Sequence, residues 1–509
     1  MNRHTSYLPG LLLFLGFWLL LLAGGRTNFF RDPGTFWHTV VGEKILTDGF
    51  FDTDPYTFTF AGKQWIPHQW LGEVGMALVH RVSGLDGLLA VSTGVLAALF
   101  AWLAVRLIRT GLHPIVATAV IGLALAAGAS HFHVRPHLAT IIGVAVTVAA
   151  LTDVEAGRAG LRRLLWLVPV YLVWSNTHGG ALGGLTTIGL AGAGWVLFRL
   201  LGRPSPVTGL RDLAGLAAVG LACGLTAFVT PYGADIARTW LDIMHAPRLP
   251  EIIREHASTS LSDPTAWPVF GLAALYLFAL AGTRPRDWRV SWLLPLFWLF
   301  QAYTRVRHAP LFAVVACIAI ADLWPATRWA AQLAARRPDL YNPAGSPARW
   351  GVLSTLLAAL CVALALLVQA ARVEVPLVGA GWARLDPGYW PTGLTATLKE
   401  HEPRSAVGGR LFNEYIDGGF VIYHAPGYRV FVDDRCELFG DDWLVRFVAA
   451  GAGDPAAAID SWERDYCRFE FALTRTGSGF DGYYRQRGDV WELVEENPTA
   501  AFYRRRAGQ

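Results

Sequence analysis

The chain has 509 residues, 53% of them hydrophobic and only 16% charged, and its formal net charge is +4. A soluble globular protein carries about 25% charged residues, so this composition excludes an ordinary soluble domain and predicts a protein that crosses a membrane many times. The small positive charge does not indicate a nucleic-acid-binding protein, because the arginines are scattered between apolar runs. The excess of Arg over Lys, with abundant Ala and Gly, suggests a bacterial genome rich in G and C.

Eleven apolar runs are candidates for helices that cross the bilayer. Such a helix needs about 20 mostly apolar residues. The first run is longer than the apolar region of a secretory signal peptide and is followed by more runs, so we interpret it as an uncleaved first helix. The runs 164–176 and 291–303 are the shortest. The predicted spans are 7–25, 85–105, 114–130, 138–151, 164–176, 181–198, 213–230, 267–281, 291–303, 309–323 and 351–371.

Arginine is unevenly distributed between the two sides of these spans. With the N-terminus in the cytoplasm, every predicted cytoplasmic connection holds two or more arginines, as the positive-inside rule requires. The sequence therefore predicts a multi-pass protein of the bacterial inner membrane. It would have a transmembrane domain over residues 1–371 with a first external loop 26–84, and an external C-terminal α/β domain 372–509. The cytoplasmic arginines would be Arg106, Arg109, Arg158, Arg162, Arg163, Arg199, Arg203, Arg211, Arg284, Arg286, Arg289, Arg328, Arg336, Arg337 and Arg349.

The first external loop contains two patterns typical of amphipathic helices. Asp32 and Pro33 are suited to the N-cap and first turn of a helix that Gly49 would end. We expect this helix to lie flat at the outer membrane surface. The second pattern starts near Pro67 and stops at Gly84, where the second span begins.

Motifs along the chain resemble those of a family of largely uncharacterised bacterial membrane proteins that are similar to the GT-C superfamily. GT-C proteins are membrane glycosyltransferases that take a sugar from a polyprenyl-phosphate donor. The motifs are DPGTFWHT at 32–39, TDP at 53–55, WIPHQWLGE at 65–73, RPH at 135–137, NTHGG at 176–180, TPYG at 230–233, RHAPLF at 307–312 and NEYIDGGFVIYHAPGYRVFVDDRCELFGD at 413–441.

The resemblance implies an inverting transfer to an acceptor outside the cytoplasm, which could be a lipid, a glycan or a protein. In such a reaction a carboxylate accepts the proton of the acceptor hydroxyl, and cations, imidazoles or a divalent metal such as Mg or Mn neutralise the lipid phosphate. By their positions, Asp32 and Asp54 are the candidate catalytic carboxylates, and these two with His38 are the candidate metal ligands. The candidate substrate- or phosphate-binding residues are His38, His68, Glu73, Arg135, His137, His178, Arg305, Arg307 and His308.

Each of these residues also has a simpler interpretation. Asp32 could be only a helix N-cap, whose hydrogen bonds would hold its pKa low and make it a weak base. Asp54 could serve a local turn before Pro55. The histidines could pack beside tryptophans, Glu73 could form a capping hydrogen bond, and the arginines could contact lipid headgroups.

The C-terminal segment has soluble-like composition. We expect helices at 393–402, 438–450 and 456–465, and strands at 410–413, 429–433, 469–474, 491–495 and 501–505, which together indicate a small α/β domain. The acidic run around 433–442 is interpreted mainly as solvated charge. Whether Cys436 and Cys467 form a disulfide depends on their separation, which the sequence does not give.

Three other functions are compatible with a polytopic protein of this kind. A transporter or flippase should show repeated halves and paired broken helices, and neither is evident. A polymerase or ligase of lipid-linked glycans would depend on a large late external loop, whereas here the densest carboxylates lie in the first. A non-catalytic scaffold protein of envelope assembly is not excluded by the sequence.

Overall fold

The computed structural model describes residues 8–244, 248, 254–344, 350–373, 381–405 and 408–508. Tyr7, at the start of the first predicted span, and Arg349, among the predicted cytoplasmic arginines, lie outside the described residues. So does the stretch 374–380, close to the predicted domain boundary.

Helices, most of them apolar, make up most of the described chain up to residue 373. They are α1 (Leu8–Asn28), α2 (Gly34–Asp48), α3 (Trp70–Ile108), α4 (Pro114–Gly128), α5 (Leu138–Glu155), α6 (Leu167–Thr177), α7 (Ala181–Leu200), α8 (Leu210–Leu225), α9 (Asp235–Met244), α10 (Trp267–Ala281), α11 (Val290–Thr304), α12 (Ala309–Leu323), α13 (Arg328–Arg336) and α14 (Val352–Ala370).

Nine helical segments within the described residues are long and apolar enough to cross a membrane, against eleven predicted spans. The other two predicted spans do form helices, but short ones: α6 has 11 residues and α11 has 15. At 1.5 Å per residue they reach about 16 and 22 Å, less than the ~30 Å of a bilayer core. The predicted class, a polytopic α-helical membrane protein with a small C-terminal sheet, is confirmed.

The helix α3 joins the first loop to the second span. It runs through 39 residues, but Ser83 and Gly84 have non-helical dihedral angles, with φ of +57° at Gly84. This left-handed conformation favours glycine, because a side chain there would be strained. Gly84, where the first loop is predicted to end, is therefore a kink between two helical segments of α3.

A five-stranded mixed sheet forms the centre of the C-terminal region. The strand order is β2-β1-β3-β5-β4, with β1 parallel to β2 and β3, and with β5 antiparallel to β3 and β4. The predicted strands are all present; the helices α16 and α20 were not predicted. The elements are α15 (Thr395–Glu400), β1 (Gly409–Asn413), α16 (Gly418–His424), β2 (Tyr428–Val430), α17 (Cys436–Phe439), α18 (Asp441–Ala452), α19 (Ala456–Tyr466), β3 (Phe471–Arg475), α20 (Gly479–Arg485), β4 (Trp491–Glu496) and β5 (Ala500–Arg505).

Two hydrophobic cores hold the chain together. In the first, α12 is the central helix: nearly all its residues are buried, and it packs on α3, α4, α5, α10 and α11. The second core lies under the sheet and combines C-terminal side chains with Phe36, Trp37, Val41 and Trp65 of the first loop. The apolar side of α2 therefore packs on the C-terminal region, while its location at the outer membrane surface stays a prediction.

Backbone contacts tie the first loop to the C-terminal region as well. The loop runs alongside β2, where the N–H of Val430 donates to the carbonyl of Tyr56 and the N–H of Phe58 donates to the carbonyl of Val430. A Cβ at Gly419 would lie only 2.3 Å from the carbonyl oxygen of Pro33, so only glycine permits α16 to approach the start of α2 this closely. The two cysteines of this region, Cys436 and Cys467, are both free thiols.

Candidate active site

Asp32 lies in the short break between α1 and α2, and its carboxylate makes two hydrogen bonds. Its Oδ1 accepts the backbone N–H of Gly34 at 2.7 Å, and its Oδ2 accepts from Arg135 Nη1 at 2.9 Å. Only 3% of Asp32 is exposed. A Cβ at Gly34 would lie 2.8 Å from both Arg135 Nε and Asp32 Oδ1, so the pair requires glycine here. Asp32 therefore forms a capping hydrogen bond and an ion pair at once.

The charges of this pair stabilise each other. Burial acts to raise the pKa of Asp32, but Arg135 and the neighbouring histidines outweigh it and hold the pKa below its usual value. Burial acts to lower the pKa of Arg135, while Asp32 and then Glu255 more than offset it and raise the pKa. At neutral pH Asp32 is therefore an ionised carboxylate in a poorly solvated place.

Two further carboxyl groups approach this pair from distant regions of the chain. Glu255 Oε1 lies 4.0 Å from Arg135 Nη1, and Asp434 accepts the indole N–H of Trp37 at 2.7 Å. Burial, and then the negative charge of Asp32, raise the pKa of both Glu255 and Asp434. Three carboxyl groups thus share one arginine, and ionisation of Asp32 favours the protonated form of the other two.

Sequence reasoning missed Glu255 and Asp434. Glu255 lies in the long connection between α8 and α10, which is predicted to be external and carries no recognised motif at that point. Asp434 belongs to the acidic run whose predicted role is solvated charge, although the run is also included in the family-like motif at 413–441. Greater weight on that motif than on the usual behaviour of acidic loops would have identified Asp434.

Histidines of the turn before α5 surround the same place. The ring centroids of His131 and His137 are 4.7 Å apart, and those of His137 and His178 are 6.4 Å apart. One ligand atom each from His131, His133 and Glu255 lie within 4.8 Å of one another, a spacing that suits a metal ion. The Nδ1 atom of His133 is buried and has no hydrogen-bond partner among the described residues, which leaves it available as a ligand.

His178 is fixed in the NTHGG motif by close helix packing. Its Nδ1 is 2.8 Å from Thr140 Oγ1 and accepts the N–H of Gly180 at 3.0 Å. A Cβ at Gly180 would lie 2.1 Å from that Thr140 oxygen, so the second glycine of the motif permits the contact. The imidazole is thereby held beside His137.

A second group of predicted binding residues consists of His38, His68 and Glu73, and the ring of His38 contacts that of Trp37. His38 Nδ1 is 2.8 Å from Glu73 Oε1, and at most 1% of either side chain is exposed. Burial, and then the charge of Arg135, lower the pKa of His38, so we interpret the contact as a neutral hydrogen-bonded pair. A Cβ at Gly42 would lie 1.9 Å from the Glu73 carbonyl oxygen, which shows how closely α2 and α3 approach.

His68 continues this second group. Its Nδ1 lies 3.9 Å from Glu437 Oε1, and Glu437 also accepts the indole N–H of Trp65 at 3.0 Å. Three buried atoms of the group have no hydrogen-bond partner among the described residues: His38 Nε2, Glu73 Oε2 and His68 Nδ1. Buried polar atoms without partners are costly, so the group is suited to bind the hydroxyls of a polar ligand.

The arginines before α12 lie near the Glu255 segment. Arg307 Nη1 is 3.0 Å from the Nε2 of His256, the residue after Glu255. His308 contacts the carbonyl of Gln301 at 3.2 Å through Nδ1. Arg305 is partly buried and makes no ion pair with any residue that the structure describes. These cations are placed to meet an anion at the edge of the Asp32 site.

Of the two predicted catalytic carboxylates, Asp54 is the one whose oxygens both have partners outside the Asp32 site. It accepts the N–H groups of Tyr56 and Thr57 at 3.2 and 3.1 Å, and Arg435 Nη1 lies 2.8 Å from its Oδ1. Neither Asp54 nor Arg435 has an exposed side chain. Asp54 thus combines the predicted turn hydrogen bonds with a buried ion pair, which occupies the oxygens that a metal or a substrate would need.

The lowered pKa values of the buried histidines predict how the stability of the folded protein depends on pH. Burial lowers the pKa of His137 and His256 to about 3, aided next by Arg135 and Arg307, and it also lowers the pKa of His178. In the unfolded chain they would titrate near 6.5, so below that pH the unfolded state binds more protons. Stability is therefore complete above pH 6.5 and is lost as the pH falls, by at most roughly 2 kcal/mol per histidine at pH 5.

This dependence is measurable as the unfolding midpoint of the detergent-solubilised protein between pH 7 and pH 5. The variant His137→Gln should lose some of the slope, because it removes one of the groups that must stay neutral in the folded state. Identical slopes in the variant and the wild type would contradict the assignment.

The fold of this chain is similar to folds known from other proteins. No protein-family model and no curated protein matches the chain. Among solved structures, it is similar to the oligosaccharyltransferase of Archaeoglobus fulgidus tethered with an acceptor peptide containing the NVT sequon, at 11% identity and a TM-score of 0.54, over 91% of this chain and 69% of that one. It is also similar to ArnT from Cupriavidus metallidurans bound to undecaprenyl phosphate, at 14% identity and a TM-score of 0.51, over 98% of both chains.

A structure of the Archaeoglobus fulgidus enzyme AglB with an inhibitory peptide and a dolichol-phosphate has a TM-score of 0.49, and the chain spans 65% of its length. At such low identities the similarity shows the fold alone. The predicted polytopic helical fold is confirmed, and it is similar to the folds of the oligosaccharyltransferase and of ArnT.

Proposed function

We propose that the protein is a membrane glycosyltransferase that moves a sugar from a polyprenyl-phosphate donor to an acceptor outside the cytoplasm. The observation that carries this proposal is the buried Asp32–Arg135 pair, with Glu255 beside it and imidazoles around it, at one end of a GT-C-like helix bundle. The similarity to ArnT bound to undecaprenyl phosphate supports the donor class. The predicted orientation, with this end facing outward, follows from the distribution of arginine.

In this proposal Asp32 accepts the proton of the acceptor hydroxyl. Its two oxygens already accept one hydrogen bond each, but a carboxylate has about four lone-pair positions, so a hydroxyl can still bind. The hydroxyl oxygen attacks the anomeric carbon while the bond from that carbon to the phosphate oxygen breaks. The phosphate leaves with the electron pair, and the single displacement inverts the anomeric centre.

The positive groups would bind the lipid phosphate before and after this step. Arginine suits phosphate because its planar donors form paired hydrogen bonds. We assign the phosphate to Arg305 and Arg307, with the Nε2–H of His178 as a further donor. The N–H groups of His137 and His308 face backbone carbonyls, so these two neutral imidazoles would border the phosphate without donating to it. The unpartnered buried atoms of His38, His68 and Glu73 would bind hydroxyls of the donor sugar.

A divalent metal fits this site at His131, His133 and Glu255. Among the predicted ligands, Asp54 pairs with Arg435, Asp32 pairs with Arg135, and the Nδ1 of His38 contacts Glu73. A bound metal would supply positive charge to the leaving phosphate. Two imidazoles with one carboxylate favour Mn²⁺ over Mg²⁺, because Mg²⁺ prefers all-oxygen ligands.

The metal proposal predicts one Mn²⁺ bound per purified chain, measured by calorimetry or elemental analysis. His133→Asn should weaken this binding by more than about 100-fold, since substitution of groups outside the ligand shell already costs 10–100-fold. His113→Asn is the matched control, because His113 caps α4 at the other membrane face and Asn can still cap it. Equal Mn²⁺ binding by both variants would exclude this site.

The proposed reaction can be tested with the purified full chain and a panel of polyprenyl-phosphate-linked monosaccharides. We expect one donor to release polyprenyl phosphate, together with the loss of one envelope glycan modification when the gene is deleted. A product that grows by repeated additions would instead favour a glycan polymerase. Translocation of the donor across vesicle membranes without release of the sugar would favour a flippase, and either outcome would overturn the proposal.

A further inference from the structure

Two adjoining cavities lie at the opposite end of the helix bundle from the Asp32 site. Their volumes are about 680 and 320 Å³. They open at Asp153, near the last residues of α5, and at Asp322, near the end of α12, whereas His137 and His308 immediately precede the first residues of the same helices. The length of these helices therefore separates the cavities from the candidate active site.

The walls of the cavities are rich in arginine. Arg106, Arg158 and Asp153 line both of them. Arg158 pairs with Asp322 at 2.6 Å and with Asp153 at 2.9 Å, and Arg106 pairs with Asp153 at 3.3 Å. These contacts hold the helix ends together and neutralise both aspartates.

The lining contains two further arginines that do not pair with its aspartates. Arg109 lines the smaller cavity and Arg163 the larger one. Both are exposed, and neither forms an ion pair with another described residue. With four arginines against two aspartates, the lining has a net positive charge that is complementary to an anion.

The larger cavity continues as an apolar groove beside these arginines. Its walls are small or aliphatic residues of α5 and α6, including Ala149, Ala150 and Leu167. Trp102 and Trp166 stand at its rim, and the guanidinium of Arg106 lies 5.2 Å from the ring centroid of Trp102. Tryptophans are enriched at the level of lipid headgroups. The cavity thus combines a cationic mouth with an apolar groove of membrane depth.

We propose that the two adjoining cavities together bind one anionic membrane phospholipid. Its phosphodiester would lie where the cavities meet, with Arg109 on the side of the smaller cavity and Arg163 on the side of the larger one, and one acyl chain would follow the groove along Ala150. Basic pockets between membrane helices recognise anionic lipid headgroups in this way. The site is separate from the proposed transfer reaction and does not depend on it.

The test uses the full chain in detergent, titrated with phosphatidylglycerol and followed by native mass spectrometry. We expect one tightly held phosphatidylglycerol per chain and much weaker retention of phosphatidylcholine with the same acyl chains. The double variant Arg109→Gln and Arg163→Gln should lower the affinity about thirtyfold, from the attraction of anionic lipid to two arginines. These two are chosen because Arg106 and Arg158 hold Asp153 and Asp322.

The matched control is Arg162→Gln with Arg211→Gln, which removes two exposed arginines of the same predicted membrane side that do not line the cavity. An equal loss in this control would show general surface attraction and overturn the proposal. Ala150→Phe should fill the groove and reduce lipid binding without any change in charge. Equal binding of glycerol phosphate, which has no acyl chain, would show a plain phosphate site and would also overturn it.

Discussion

Replacement of Asp32 by asparagine is expected to lower the rate of sugar transfer by about 10²- to 10⁴-fold, the usual contribution of a general base. The substitution removes the charge and can keep the cap. Asparagine is as good an N-cap as aspartate, so its amide oxygen can keep the hydrogen bond from the N–H of Gly34, while its NH₂ group takes the position of the oxygen that accepts from Arg135. The variant also loses the ability to take a proton from the acceptor.

The measurement is single-turnover transfer by the purified variant, alongside its unfolding midpoint. Asp52→Asn is the control, because Asp52 is exposed in the same loop, and it should retain full activity. Removal of the negative charge also takes away the nearest ionised partner of Arg135, and Glu255 at 4.0 Å is farther away, so some loss of stability is expected. The double variant with Arg135→Gln should regain stability but not activity. Normal transfer by Asp32→Asn would move the base elsewhere, with Asp434 as the next candidate.

The local features of the fold could be predicted because they depend on short-range chemistry. Asp32-Pro33 and Gly49 indicated the bounds of α2 to within two residues, since capping and the left-handed preference of glycine are local. The lengths of two predicted membrane spans were harder to predict, because helix length is not decided locally. The apolar runs that became α6 and α11 do form helices, but helix length depends on where the chain must turn, which is decided by packing against neighbours.

The assembly of the site could not be predicted, because it depends on contacts between residues far apart in the chain. Nothing near Asp54 indicates Arg435, so a carboxylate in a turn looked available when it is an ion-pair partner. Asp434 reaches the Asp32 site from more than 400 residues along the chain, by way of its hydrogen bond with Trp37 and the close approach of α16 to Pro33 at Gly419. By contrast, the grouping of Asp32, Arg135 and His178 at one end of the bundle followed from topology, since alternating spans bring their ends to one face.

The second large effect concerns stability, and it arises from Arg435. This side chain is 1% exposed and lies between two buried carboxylates. It forms two hydrogen bonds with Asp433, at 2.9 and 2.6 Å, and one contact with Asp54 at 2.8 Å. Its guanidinium also lies 4.5 Å from the ring centroid of Trp65, so the group joins the first loop to the C-terminal region.

Arg435→Met should therefore destabilise the protein by about 3–5 kcal/mol, because it leaves two buried carboxylates without a cation. The free energy of unfolding in mixed detergent and denaturant measures this loss. Adding Asp54→Asn and Asp433→Asn to the same chain should recover much of it, since the penalty comes from unpaired charge and not from lost volume.

Arg337→Met, which breaks the exposed pair with Asp339, is the control and should hardly change the free energy of unfolding. If the triple variant were no more stable than Arg435→Met alone, the arginine would stabilise the junction by packing on Trp65 and Tyr56, and the ion-pair account would be wrong.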